Sequence, residues 1–153
     1  MFHIVLLEPE MPANTGNIGR TCYLTNTCLH LIKPFKFQIN DKMLKRAGMD
    51  YWNELKVKIH DNYKDFLETE KLGRIFYATT KTRNLYHEQN YKDGDYFLFG
   101  KESAGIPEEI LKENRDTCIK IPMKKELSRS LNLANSANII LYEALRQNNF
   151  KDL

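Results

Sequence analysis

Apolar residues fall in short runs separated by polar, helix-forming stretches, and the alternation sets the reading of the whole chain. Phe2 to Leu7 is a buried-strand run ended by Glu8-Pro9, since proline cannot donate to a sheet ladder. Leu29-His30-Leu31-Ile32, Val57-Lys58-Ile59, Arg74 to Thr80, Tyr96 to Gly100 and Cys118 to Ile121 repeat the pattern. Between them lie helical stretches. Pro12 to Arg20 turns from loop into helix, with Ile18, Cys22 and Leu24 expected inside. Asn40-Asp41 offers a cap for a short basic helix carrying Lys42, Lys45 and Arg46, with Gly48 as its stop. Asp61 can cap a helix with Tyr63, Phe66 and Leu67 inward before Gly73 ends it, and Pro107-Glu108-Glu109 starts one that runs to about Asn114. Leu133 to Gln147 is the last, with Ala134, Ala137, Leu141, Ala144 and Leu145 at helical spacing. Strands alternating with helices predict an α/β domain: a mostly parallel sheet covered by helices, with ligands expected beyond the strand C-terminal ends.

At 153 residues without a compositional break, residues 1–153 fit one domain. A formal charge of +3 permits a polyanionic partner without requiring one. Cys22, Cys28 and Cys118 are too few and too scattered for a disulfide framework and read as buried thiols. The chain opens without a basic leader, and no apolar run approaches the roughly 18 residues of a membrane span, so a cytoplasmic protein is expected.

Several chemistries lack their motif. Gly100 to Pro107 places two glycines five apart after a strand, yet Ile106-Pro107 follows where a P-loop needs Lys and then Ser or Thr. No G-x-G-x-x-G follows the first strand, which makes a nicotinamide-binding enzyme remote. His3, His30, His60 and His87 stand apart in sequence without metal-ligand or nucleophile–base spacing and read as structural or surface residues. Ser103 has no nucleophile elbow around it. The stretch Ile121 to Ser136 is different. It leaves a strand, crosses a charged loop and enters a helix whose first turns are small and polar, which suits capping and equally suits a ligand cradle.

Three stretches together resemble the motifs of the SPOUT class of RNA methyltransferases, in that class's order. Asn14-Thr15-Gly16-Asn17-Ile18-Gly19-Arg20 is similar to N-x-G-N-x-x-R, and Gly100-Lys101-Glu102-Ser103-Ala104-Gly105-Ile106-Pro107 to G-x-E-x-x-G-[LI]-P. Ile121-Pro122-Met123 with Ser128-Arg129-Ser130-Leu131-Asn132 is similar to I-P-M…S-x-S-L-N. The opening Leu7 to Asn17, Asp41-Lys42 with Arg46 to Tyr51, Asp93-Gly94-Asp95-Tyr96 and Tyr142-Glu143-Ala144 resemble the small tRNA (cytidine(34)-2′-O)-methyltransferase subfamily.

The resemblance implies a C-terminal trefoil knot, which patterning could not suggest because unknotted topology is the default. It implies S-adenosylmethionine held by Ala78, Gly100, Ile121, Met123, Ser130, Leu131 and Asn132, with no metal needed. It gives Arg20 the central role at a tRNA anticodon stem-loop, as a phosphate anchor or a base. Asn14, Asn17, Glu102, Ser128, Arg129 and Asn135 become candidates for RNA contact, Glu102 either holding Arg20 or an RNA hydroxyl or ending a helix as a capped acid. The basic groups Lys33 with Lys36, Lys42 with Lys45 and Arg46, and Lys124 with Lys125 are candidate phosphate contacts. Family members are homodimers, and Tyr142 on the last helix is the expected interface residue. Two rivals stay open: 2′-O-methylation of another tRNA position or of rRNA, and a non-catalytic RNA-binding dimer.

Overall fold

The structure is a computed structural model and describes residues 1–39, 42, 46, 48, 50–70, 73–151 and 153. Six strands form one sheet: β1 (His3–Leu7), β2 (Cys28–Ile32), β3 (Val57–His60), β4 (Ile75–Ala78), β5 (Tyr96–Phe99) and β6 (Cys118–Ile119). Their order is β3-β2-β1-β5-β4-β6, and every pairing is parallel. Helices α1 (Pro12–Leu24), α2 (Tyr63–Thr69), α3 (Glu108–Glu113) and α4 (Leu133–Gln147) cover the sheet. The doubly covered α/β sheet expected from the alternation is therefore present.

Residues alternate between the two sheet faces, as the period of two demands. Ile4, Leu6, Leu29, Leu31, Phe97 and Phe99 pack against Ile18 and Cys22 of α1 and Ala137, Ile140, Leu141 and Ala144 of α4. Val5, Leu7, Ile32, Tyr77 and Leu98 pack on the other face with Phe66 of α2 and Leu111 of α3. Burial pushes the thiol pKa of Cys22, Cys28 and Cys118 upward, which makes them inert members of the core.

Several local expectations need correction. The Asn14 to Arg20 stretch is helical throughout, because Pro12 opens α1 earlier, its missing N–H costing nothing in a first turn. Leu24 and Leu67 point outward, being 65% and 38% exposed. α2 is capped by Asn62, whose Oδ1 accepts from Asp65 N at 2.8 Å, not by Asp61, and it ends at Thr69. β6 stops at Ile119; Lys120 makes only an isolated bridge to Leu85, so Ile121 already belongs to the following loop. The cap at Asn40-Asp41 and Lys45 lie outside the described residues, whereas Lys42 and Arg46 are helical and exposed.

The largest departure concerns the histidines. Strand register brings three of them into a line on the α2 face: His3 Nδ1 lies 3.0 Å from His30 Nε2, and His30 Nδ1 lies 3.0 Å from His60 Nε2. His60 Nδ1 reaches Thr69 Oγ1 at 3.4 Å, and because that hydroxyl donates to the Asp65 carbonyl at 2.8 Å, it accepts from His60. Each ring then carries one proton and passes one hydrogen bond onward. Phe66 and Tyr96 pack around the line. His30 and His60 are buried and His3 is half-buried, so these are structural histidines but not isolated ones. Desolvation holds His3 down to about 4 and His30 down to about 3, and lowers His60 as well.

Candidate functional site

β5, β4 and β6 are neighbours in the sheet, and their C-terminal ends open into a cavity of about 440 Å³. Three loops complete it: residues 79–81 after β4, residues 100–106 after β5, and the segment from Ile121 to Asn132 leading into α4. Ala78, Gly100, Ile121, Met123, Ser130, Leu131 and Asn132 all line it. Ile119, Leu133 and Ile140 supply an apolar wall, and Thr79, Thr80 and Ser136 add hydroxyls that sequence reading had not singled out. The volume falls in the range of small-molecule sites, and the mix of apolar walls with a few polar groups is what such sites present.

The loop after β5 is closed on itself. Gly105 N donates to Lys101 O at 2.9 Å, with Gly105 at φ 70°, a conformation that suits glycine. A Cβ on Gly100 would lie 2.1 Å from the Gly105 carbonyl carbon, so only glycine lets the loop fold back this closely. Ser103 fastens the turn to the chain before α1, its Oγ donating to Glu10 Oε1 at 2.6 Å and its N–H donating to the same oxygen at 2.8 Å. Those two bonds hold the Glu10 carboxyl below its usual pKa.

Glu102 serves as the missing cap of α1, whose own N-cap residue, Met11, makes no side-chain cap bond. Its carboxylate accepts from Glu10 N at 2.8 Å, Met11 N at 3.1 Å and Asn14 Nδ2 at 3.2 Å. A carboxylate at a helix N-terminus is favoured by the exposed N–H groups and the helix dipole. Glu102 is therefore engaged as a capping acid, one of the three roles expected for it, and within one chain it makes no bond to Arg20 among the described residues. Asn14, buried on α1, in turn accepts from Asn132 Nδ2 at 3.0 Å. Asn132 is itself the cap of α4, its Oδ1 accepting from Ala134 N at 2.8 Å and Asn135 N at 3.3 Å. Capping by Asn132 leaves Ser130 outside the helix, on the cavity wall. Asn14, Glu102 and Asn132 thus join the three sequence motifs in one hydrogen-bonded line, and all three border the cavity.

The other expected residues lie elsewhere. Arg20 does not line the cavity; it is exposed on α1, its Nη2 donating to Gly48 O at 3.3 Å and its guanidinium 5.9 Å from the Tyr51 ring centroid. Tyr51 is fixed by donating to Gly16 O at 2.9 Å, so Arg20 rests on a rigid platform. Asn17, Ser128, Arg129 and Asn135 are exposed and outside the cavity lining. Lys33, Lys124 and Lys125 are also exposed. Tyr142 is 46% exposed on the outer side of α4. Among the described residues no helix is long and apolar enough to cross a membrane.

The chain as a whole is similar to known proteins. The family model described as the SpoU rRNA Methylase family matches residues 1–142. A protein of Bacillus subtilis (strain 168), provisionally named a tRNA (cytidine(34)-2′-O)-methyltransferase, is 48% identical over 99% of this chain and 96% of its own. A Saccharophagus degradans protein named tRNA (cytidine(34)-2′-O)-methyltransferase is 45% identical over 98% of this chain and 97% of its own. A solved structure described as giving structural insights into the 2-OH methylation of C/U34 on tRNA superposes with a TM-score of 0.89 at 43% identity, covering 97% of both chains.

Proposed function

The chain belongs to the SpoU rRNA methylase family, and on that premise we propose that it is a tRNA (cytidine(34)-2′-O)-methyltransferase, methylating the ribose 2′-OH of the wobble nucleotide. S-adenosylmethionine is the donor that goes with this family. The observation that carries the reading is the convergence of Ala78, Gly100, Ile121, Met123, Ser130, Leu131 and Asn132, distant in sequence, on one cavity at the ends of three parallel strands.

The residues present fit such a donor. Ile119, Leu133 and Ile140 offer an apolar slot for a purine, while strand-end backbone groups and the Ser130 and Ser136 hydroxyls offer hydrogen bonds to its polar edges. When bound, the donor supplies an electrophilic methyl on a sulfonium, open to in-line attack by the ribose O2′. The protein's part is to hold that hydroxyl in line and to ease loss of its proton. Asn14, Glu102 and Asn132 keep α1 and the cavity wall in fixed relation. Arg20, resting on Tyr51, is assigned to anchoring an RNA phosphate beside the acceptor ribose; a guanidinium already holds its full set of protons, so it takes another role only where that phosphate shares the proton.

The same reading includes a single domain over residues 1–153, a trefoil knot at the C-terminal segment, a cytoplasmic homodimer with Tyr142 at its interface, and RNA contacts from Asn17, Ser128, Arg129 and Asn135. In a dimer, Arg20 of one copy can serve the cavity of the other, which would account for its place outside the cavity of its own chain. The deciding experiment incubates the purified protein with S-adenosylmethionine and unmodified tRNA, then maps ribose methylation by nuclease digestion and mass spectrometry. Methyl at nucleotide 34 is the expected result. Methyl at another position, on rRNA alone, or nowhere would overturn the assignment.

A further inference from the structure

A second cleft, of about 560 Å³, opens beside the first and shares Thr80 and Lys81 with it. Lys81, Arg83, Lys112 and Arg115 line it against one carboxylate, Glu108. Lys81 is paired with Glu108 at 2.9 Å. Arg83, Lys112 and Arg115 make no side-chain hydrogen bond or ion pair among the described residues.

Glu108, paired with Lys81, also attracts Lys112 and Arg115 at longer range, but one carboxylate against four cations leaves an excess of positive charge ready for an anion, and guanidinium groups match phosphate geometry in particular. Thr82 and Asn84 add hydrogen-bonding groups to the same lining. Since the groove continues directly from the cavity assigned to the methyl donor, an RNA whose ribose reaches that cavity must carry its flanking phosphates over adjoining surface. We propose that this cleft binds backbone phosphates of the substrate RNA next to the methylated nucleotide, with Arg83, Lys112 and Arg115 as the anchoring residues. The inference rests on the tRNA methyltransferase reading for its choice of ligand.

The test replaces Arg83, Lys112 and Arg115 by alanine, singly and together, in the full-length protein. All three side chains are exposed, so a thermal melt should be unchanged and serves as the folding control. Binding of unmodified tRNA is measured by filter retention across a salt series, alongside S-adenosylmethionine affinity. Each single variant should bind tRNA about five-fold more weakly. The triple variant should lower the slope of log affinity against log salt by about 2, since each single-strand phosphate no longer neutralised takes away about 0.7. Donor affinity should stay as in the wild type, and Arg83→Lys with Arg115→Lys should retain most RNA binding.

Unchanged tRNA affinity and salt slope in the triple variant, with wild-type methylation of nucleotide 34 intact, would overturn this inference alone. Cleft-dependent tRNA binding without any methyl transfer by the wild type would instead overturn the activity and leave the cleft standing. Inorganic phosphate and pyrophosphate form the second arm. Competition no stronger than that of potassium chloride at equal ionic strength supports an RNA backbone. Micromolar pyrophosphate binding that the triple variant loses while keeping its tRNA affinity would mark a small-anion site and sink the proposal.

Discussion

Asn132 donates through Nδ2 to Oδ1 of Asn14 across 3.0 Å, joining the cap of the last helix to the first turn of the first helix, 118 residues earlier in sequence. Each amide has a second duty: Asn14 Nδ2 donates to Glu102, and Asn132 Oδ1 accepts from the opening N–H groups of α4. The bond therefore couples two helix ends and the loop after β5.

Asn132→Ala should cost about 1–2 kcal/mol of unfolding free energy from the lost cap, and Asn14→Ala about 1 kcal/mol from its lost hydrogen bonds. The two losses should not add, because both remove the same bond; a double-mutant cycle read by urea denaturation should show a coupling of about 0.5–1 kcal/mol. Strict additivity would mean the Asn14–Asn132 bond carries no energy of its own.

Glu102→Gln tests the capping acid. Oε2 serves Glu10 N while Oε1 serves both Met11 N and Asn14 Nδ2, so an amide keeps only one accepting atom and loses the charge beside the helix dipole. A destabilisation of about 1–2 kcal/mol is expected. Hydrogen exchange should show it as faster exchange at the Glu10 and Met11 amides; protection equal to that of the wild type would deny Glu102 this role.

Gly100→Ala places a methyl where the Gly105 carbonyl carbon lies 2.1 Å away, so the loop must open. Overpacking of this kind costs about 1–3 kcal/mol, and the cavity wall moves with it. Calorimetric titration should find S-adenosylmethionine binding abolished or weakened at least ten-fold, while wild-type affinity would show that the loop can relax without disturbing the cavity.

Arg20→Ala leaves the cavity lining untouched and should preserve donor affinity while cutting methyl transfer by about 100-fold or more, the scale of a missing acid–base or phosphate-positioning group. Single-turnover transfer assays with saturating donor would measure it. Transfer at the wild-type rate would remove Arg20 from the mechanism.

The histidine line makes stability pH-dependent in a defined direction. His3 and His30 titrate at about 4 and about 3 in the folded protein, and His60 is lowered too, against 6.5 unfolded. Below 6.5 the unfolded chain therefore binds more protons than the native one, and stability falls as pH drops, continuing to about 3. Each histidine contributes a slope of at most about 1.4 kcal/mol per pH unit. Urea midpoints should fall clearly between pH 7.5 and pH 5, and His30→Asn should be less stable at pH 7.5 yet show a shallower fall. Equal midpoints at the two pH values would contradict the buried neutral line.

The strands were legible because short apolar runs punctuated by proline, glycine and caps have few other interpretations, and strand ends locate a ligand in a parallel sheet. Ala78, Gly100 and Ile121 could be paired with one cavity before any fold was seen, though only through the motif resemblance. The histidine line could not be read. His3, His30 and His60 sit on three different strands, and only the register of β1, β2 and β3 makes them neighbours. Leu24 and Leu67 show the converse limit, since an apolar residue near a helix end can face water while the helix stays well packed. Glu102 was ambiguous for the same reason: its role depends on where α1 begins, in a part of the chain that nothing local to Glu102 specifies.

Because Ser136 and Ile140 of α4 complete walls whose other parts come from β4 and β5, the site cannot exist in a nascent chain that lacks its last helix. At elongation rates of about 5–20 residues per second, the first five strands leave the ribosome seconds before α4 does. A polypeptide ending before residue 133 lacks those walls and the α4 side chains that pack one face of the sheet, so the pocket is completed only when the end of the chain is made.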